Sequence, residues 1–298
     1  MAVTIALIKR NVKLFFKDKG MFFTALITPM ILLVLYVTFL SNVYKDSFVA
    51  GLPAGIRIDG GLIDSLVAGQ LTSSILAVSC VTVAFCSNLL MVQDKASGAA
   101  RDLSITPVKA TTLSLSYYIA SLTSTLIICF SAAGICLIYQ AIVGWYLTVG
   151  DVFLILLDVL LLVLFGTAIS SVVNYFLSTQ GQIAAVGSIV SSGYGFISGA
   201  YMPISSFGEG LQNAVLFLPG TYGTSLLRNH TTRSVFEKMN ETGIPEEVTK
   251  SMADMIDANL YLGENAIAEP IMYLILCGAT LLLIGAYVLM NFAKKRKR

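Results

Sequence analysis

The chain has 298 residues, of which 56% are hydrophobic and only 12% charged, and a formal net charge of +2, with a mean hydropathy of +0.81. Soluble globular domains carry about 25% charged residues, so these values exclude that class and indicate a polytopic membrane protein. The small net charge does not define a partner, because the charges are segregated along the chain and their placement is what carries information.

Residues 1–19 place Ile5, Ile8, Val12, Phe15 and Phe16 at helical spacing, with Lys9, Arg10, Lys13 and Lys17 on other faces. This is the pattern of a basic amphipathic helix lying in the headgroup region. The simpler reading is a positive flank for the next span. Residues 21–43 are the first predicted span, without a small-residue cleavage site. The segment from Tyr44 to Asp64, with its Gly-Leu-Pro-Ala-Gly run, reads as an external loop.

The second predicted span, residues 66–92, has no charge. Along it Gln70, Ser73, Ala77, Cys80, Ala84, Ser87 and Met91 fall on one helical face. Such a stripe of small and mildly polar groups serves either tight helix packing or the wall of a pathway. The third span, 112–142, carries a similar stripe at Ser114, Tyr117, Ser121, Ser124, Ile128 and Ser131, for which packing is expected. The fourth, 152–175, contains Asp158, the only carboxylate deep in an apolar run. An intramembrane acid suggests function, although a position near the Asp151 end also allows simple hydration.

The fifth predicted span, 183–200, repeats small residues every four positions at Gly187, Ser191, Gly195 and Gly199, which allows another helix to approach closely. After it, Tyr201-Met202-Pro203 leads into Ile204, Phe207, Leu211 and the run Val215 to Leu218, broken by Pro219-Gly220. That stretch is too apolar for a free loop and too interrupted for a full span. A helical hairpin re-entering the outer leaflet fits, if other protein buries its backbone; a loop on the membrane surface is the alternative. Residues 229–269 read as a polar, acid-rich external loop with a short amphipathic helix after Pro245. The sixth span, 271–292, ends in Lys294-Lys295-Arg296-Lys297-Arg298.

All five cysteines lie in apolar runs, and the single His230 stands in the polar loop without a Cys or His nearby. Neither a disulfide framework nor a metal site is expected. If both termini are cytoplasmic, thirteen of the 19 basic residues fall on inner segments, which favours six spans with both ends inside. No G-x-x-x-x-G-K-[ST] phosphate loop occurs, and the spans contain no nucleophile–base constellation. The chain is therefore not expected to be an enzyme, and it is expected to hold no cofactor.

The inner segment 94–108, DKASGAARDLSITPV, has a charged helical face from Asp94, Lys95, Arg101 and Asp102, apolar knobs at Leu103 and Ile105, and a stop at Thr106-Pro107. By itself it reads as an ordinary solvated turn. Two anchors change that reading. One is Gly98 with Thr106-Pro107-Val108 spaced behind it and Asp94 at an acidic start. The other is Ser198-Gly199, then Pro203, Leu218-Pro219, Thr221-Tyr222 and Leu227-Arg228. Together they resemble the permease subunits of type-2 ABC exporters across nearly the whole chain. Two departures stand out: Phe207-Gly208 replaces a second proline common in the family, and Asp102-Leu103-Ser104 replaces the usual glutamate and leucine pair.

The resemblance implies a single-domain, all-α membrane protein of six transmembrane helices. It adds an N-terminal interfacial helix, a cytoplasmic coupling helix and a re-entrant hairpin, residues 203–228, between spans five and six. It assigns ATPase coupling to Asp94, Gly98, Arg101, Leu103, Thr106 and Pro107, and the re-entrant motif to Gly199, Pro203, Pro219, Tyr222 and Arg228. It places the second and fifth spans at the substrate path, with Gln70, Ser73, Ala77, Tyr194, Gly195 and Phe196 as candidate lining residues. The implied partners are two ABC ATPase subunits holding ATP and magnesium, a second copy of the chain or a close homologue, and the lipid bilayer of a bacterial plasma membrane; no nucleic acid is expected. A hydrophobic or amphipathic cargo such as a drug or antimicrobial peptide is the first expectation. A lipid-linked glycan or teichoic acid is the alternative, and an ion-coupled secondary transporter is a rival from another class.

Overall fold

The computed structural model describes residues 2–53, 56–263 and 265–296. Ala54 and Gly55 of the predicted first external loop, and Lys297 and Arg298 of the basic tail, lie outside the described residues. Helix α1 spans Ala2–Lys17 and buries Asn11 and Phe15. It packs chiefly on a later helix, α6 (Ala110–Val143). Asp18 caps the next helix, accepting from the Met21 amide at 3.1 Å. That helix, α2 (Lys19–Leu35), runs through a π-helical turn at Tyr36–Leu40 into α3 (Ser41–Ala50). The first span is therefore longer than its apolar run.

Helix α4 (Gly60–Ala96) has 37 residues, about 55 Å at about 1.5 Å per residue. It outruns a hydrocarbon core of about 30 Å at both ends. Helix α5 (Ala99–Ile105) follows, then α6 (Ala110–Val143), α7 (Val149–Phe176) and α8 (Gln180–Ile197). Both α7 and α8 start with capping boxes, Thr148 with Asp151 and Thr179 with Gln182, each satisfying two otherwise orphaned backbone donors. A 3-10 turn at Ile204–Ser206 leads to α9 (Glu209–Leu216), α10 (Pro219–Glu241) and α11 (Glu246–Met255). A two-residue antiparallel pair, β1 (Tyr261–Leu262) with β2 (Asn265–Ala266), precedes the final helix α12 (Glu269–Arg296).

Among the described residues five helices are long and apolar enough to cross a membrane: 19–50, 60–96, 110–143, 149–176 and 269–293. The predicted fifth span corresponds to α8, which has 18 residues and is not among those five. The core forms around α4, whose most apolar window is 94% buried and which packs against α2, α6, α7, α8 and α10.

This arrangement decides between the two readings of the α4 stripe. Ser87 Oγ lies 2.6 Å from Ser121 Oγ and 2.8 Å from Thr125 Oγ1 on α6, while Asn88 donates to Ser170 and Ser171 on α7 at 3.0 and 2.7 Å. The stripe is a packing seam with hydrogen bonds across it, each worth about 0.6 kcal/mol in membrane helices. A Cβ on Gly69 would meet the Thr231 carbonyl oxygen of α10 at 2.5 Å, and one on Gly166 of α7 would meet the Cys80 carbonyl oxygen at 2.9 Å. Because backbone cannot yield as a side-chain tip can, Gly69→Val should force α4 and α10 apart, costing about 1–3 kcal/mol from overpacking. The midpoint of thermal unfolding in detergent measures this. An unchanged midpoint would show that the crossing is looser than described.

One correction concerns residues 229–269, expected as a polar external loop. Helix α10 continues without a break through Arg228 to Glu241. Its polar side chains include Thr224, Ser225, Arg228, His230, Thr231, Thr232 and Ser234, all buried. Most of their polar atoms bond to the helix's own backbone or to neighbouring elements, while Arg228 Nε and His230 Nε2 have no hydrogen-bond partner among the described residues; polarity here marks an internal surface and not a loop.

Candidate functional site

Two polar constructions stand at opposite ends of the bundle. At the end carrying α1, Asp94 on α4 receives Arg10 at 2.8 Å and the Tyr117 hydroxyl of α6. Three helices are thereby tied at one carboxylate. The hydrogen bond to Asp94 raises the Arg10 pKa above its ordinary value, since pairing favours the charged guanidinium. The next residue, Lys95, donates through Nζ to the carbonyls of Asn174, Tyr175 and Leu177 at 2.8 to 3.0 Å. A cation there complements the negative C-terminal end of α7.

The chain then turns at Gly98, whose φ of +88° lies in the left-handed region that suits glycine. That turn separates α4 from the two-turn α5. Arg101 and Asp102 are exposed on α5 and Leu103 is half-buried. Ile105 is 81% exposed, an apolar side chain projecting at the end of the helix. Thr106 Oγ1 donates to the Leu103 carbonyl at 2.6 Å, and Pro107 follows. Of the residues expected to couple to an ATPase, Gly98, Arg101, Leu103, Thr106 and Pro107 share this protruding segment. Asp94 does not: it lies inside, where it holds α1, α4 and α6 together.

At the opposite end, α10 threads between α4, α7 and α12. Arg228 is only 1% exposed and donates to the Gly199 carbonyl at 2.8 Å. Its Nη1 lies 3.6 Å from Asp257 Oδ2. Asp257 in turn accepts from the Ile204 amide, so one ion pair holds both the Gly199 turn and the 3-10 turn after Pro203. Burial pushes the Asp257 carboxyl up, while the Arg228 charge and the amides of Ile204 and Ser205 pull it down. Gly199 has a φ of +72°. Pro219 starts α10, and the buried Tyr222 donates to the Leu216 carbonyl at 2.7 Å. Gly199, Pro203, Pro219, Tyr222 and Arg228 thus lie in one construction.

Sequence reasoning missed the second half of this end. Asp158 is not hydrated near the surface but fully buried. His230 is not in a loop but on α10, with Nδ1 2.6 Å from Asp158 Oδ2. Tyr273 of α12 donates to the other Asp158 oxygen at 2.7 Å and stacks on the His230 ring with centroids 6.4 Å apart. Glu269 approaches His230 Nε2 at 3.7 Å. Nearby on the same helices, Asp151 receives Thr148, Arg233 and Ser234. These groups join α7, α10 and α12, and the only sequence signal was an acid at 158 lacking a partner in its own span.

The candidate path residues divide. Gln70, Ser73 and Ala77 lie wholly inside the protomer, and Ser73 donates back to the Gln70 carbonyl at 2.8 Å. With α4 surrounded by five helices, this face is packed within the protomer. Tyr194 packs against Gly220. Phe196 is half exposed and meets Tyr201 edge-on. Gly195 is where the Tyr201 ring folds back onto α8, so its missing side chain serves an internal turn.

A bundle of long apolar helices around one buried central helix, polar-tied at both ends, is a multi-pass integral membrane protein. The family model for the ABC-2 type transporter matches residues 2–230, and the chain belongs to that family. No curated protein matches it. The protein is therefore a transport component of the ABC-2 class, and residues 231–298, including α12, lie beyond the matched segment.

Proposed function

We propose that the chain is the permease half of an ATP-driven exporter, working as two copies with two ATPase subunits that carry ATP and magnesium. Its cargo is hydrophobic or amphipathic. In this reading both termini are cytoplasmic, α8 is a sixth crossing, residues 203–228 form a re-entrant segment in the outer leaflet, and the Gly98 to Pro107 segment docks on the ATPase.

The observation that carries the proposal is α8. It leaves the α7 end that Lys95 holds and arrives at the Gly199 turn that Arg228 holds, so it runs the length of the bundle. It packs on α4, and Ser188, Ile189 and Ser192 are exposed. No charged residue occurs from Gln180 to Phe207. A Cβ on Gly187 or Gly193 would meet nothing within 4 Å. A spanning helix with open glycines and serines is poorly suited to lipid alone and well suited to a second copy or a passing apolar cargo.

Ser192→Trp tests this. Bulk on the open face of α8 should reduce export at least tenfold in proteoliposomes of the whole complex, while assembly and basal ATP hydrolysis stay measurable. Export at the wild-type rate would move the path elsewhere. An ion-coupled mechanism would need several buried titratable groups, and Asp158, His230 and Glu269 stand together. The groups of the cluster are paired with one another across three helices, which suits a fixed tie. Driving the same proteoliposomes with ATP or with a proton gradient separates the mechanisms: uptake with the gradient alone would sink the exporter reading.

A further inference from the structure

Helices α1, α4 and α6 meet around a cavity of about 10 Å³, the room that one water molecule takes (~10–15 Å³). Its ten lining residues are all buried, and six of them are polar. Asn11 on α1 and Ser124 on α6 are each 1% exposed, yet Asn11 Nδ2 and Ser124 Oγ have no hydrogen-bond partner among the described residues. Asn11 Oδ1 accepts from Arg10 at 2.8 Å, so the amide cannot turn over to exchange its donor for its acceptor. Ser116, Thr123 and Ser131 close their hydroxyls onto carbonyls of α6 itself, whereas Ser124 does not.

We infer that this cavity is the site of one ordered water bridging α1 to α6. Water both donates and accepts, which suits an amide that can only donate at Nδ2 and a hydroxyl that can do either. Tyr117 lines the same cavity, and its hydroxyl, whose hydrogen goes to Asp94, keeps acceptor capacity for the water. That makes about three partners, the usual number for a buried water. No charged side chain occurs among the described lining residues, so a neutral molecule fits and an ion does not. The water continues the Arg10–Asp94–Tyr117 junction along α1. Arg10 is held by a carboxylate, Asn11 by the water, and Phe15 by the apolar part of the same wall. Val3, Ile5 and Leu14 of α1 stay exposed, so this one face seats the helix. The site does not depend on the transport reading.

An experimental structure of the full chain in lipid nanodiscs, at a resolution that shows ordered waters, tests the assignment. An isolated density peak should lie within about 3.2 Å of both Asn11 Nδ2 and Ser124 Oγ. The absence of a peak, or a direct hydrogen bond between the two side chains, would overturn it. Thermal unfolding supplies an independent reading. Asn11→Leu and Ser124→Ala should each lower the midpoint by about 2–4 °C, since each strands the other partner of the water. The two together should lower it by no more than the larger single loss, because replacing both partners with apolar groups leaves neither stranded. Asn11→Leu with Ser131→Ala, a serine on the exposed face of α6, should show simple addition instead. Additive losses in the Asn11 and Ser124 pair would overturn the bridge.

Discussion

Arg228→Ala is expected to destabilise the protein by about 3–5 kcal/mol, the cost of breaking a buried ion pair from one side. The guanidinium is 1% exposed and the Asp257 side chain 7%, so water cannot replace the lost partner. The variant would leave Asp257 with the amides of Ile204 and Ser205 and leave the Gly199 carbonyl without its donor. Both turns that connect α8 to α9 should loosen. Arg228→Met with Asp257→Leu is the informative companion, because removing both charges avoids stranding either one, and such double replacements are often close to neutral. Thermal unfolding of the purified variants measures both. The single variant should unfold well below the double. Equal midpoints would show that the pair does not hold these turns.

Much of the bundle was legible in the chain. Uninterrupted apolar runs gave the positions of the long helices, because a segment in lipid must satisfy its backbone internally and has few alternatives to a helix. The helix starts were written locally as well, in Thr148 with Asp151 and Thr179 with Gln182. The helical interruption after Gly98 followed from a glycine and a Thr-Pro stop. What was not legible lay in contacts distant along the sequence. Nothing near Asp158 announces His230, 72 residues away, and a polar stretch after Arg228 reads as a loop unless one knows that polar partners wait for it on α7 and α12.

The α4 stripe was ambiguous in a different way. Small residues at helical spacing say that something approaches closely, but they do not say what. In α4 the approaching groups are α6, α7 and α10 of the same chain. The helix left open is α8, where Gly187 and Gly193 face no neighbour. Half of its glycine ladder is consumed internally, Gly195 by Tyr201 and Gly199 by Ile204.

Ile105→Asp is expected to abolish ATP-driven transport without disturbing the fold. Ile105 is 81% exposed at the end of α5, and its removal takes nothing from the core of the protomer. A branched apolar side chain held out by a helix that has its own glycine hinge and Thr106 stop is costly to leave in water and gains by burial against a partner. If that partner is the ATPase, an aspartate at this position buries an unpaired charge, at about 3 kcal/mol or more. Docking then weakens by about a hundredfold or more. The unfolding midpoint of the isolated chain should stay within a degree or two of wild type, which separates lost docking from lost folding. Ile105→Leu keeps the apolar contact and should retain most transport. The measurements are recovery of the ATPase subunit with the tagged permease and ATP-dependent transport by the recovered complex. Full recovery together with full transport by Ile105→Asp would remove α5 from the coupling mechanism and leave the ATPase to dock on another surface at the α1 end.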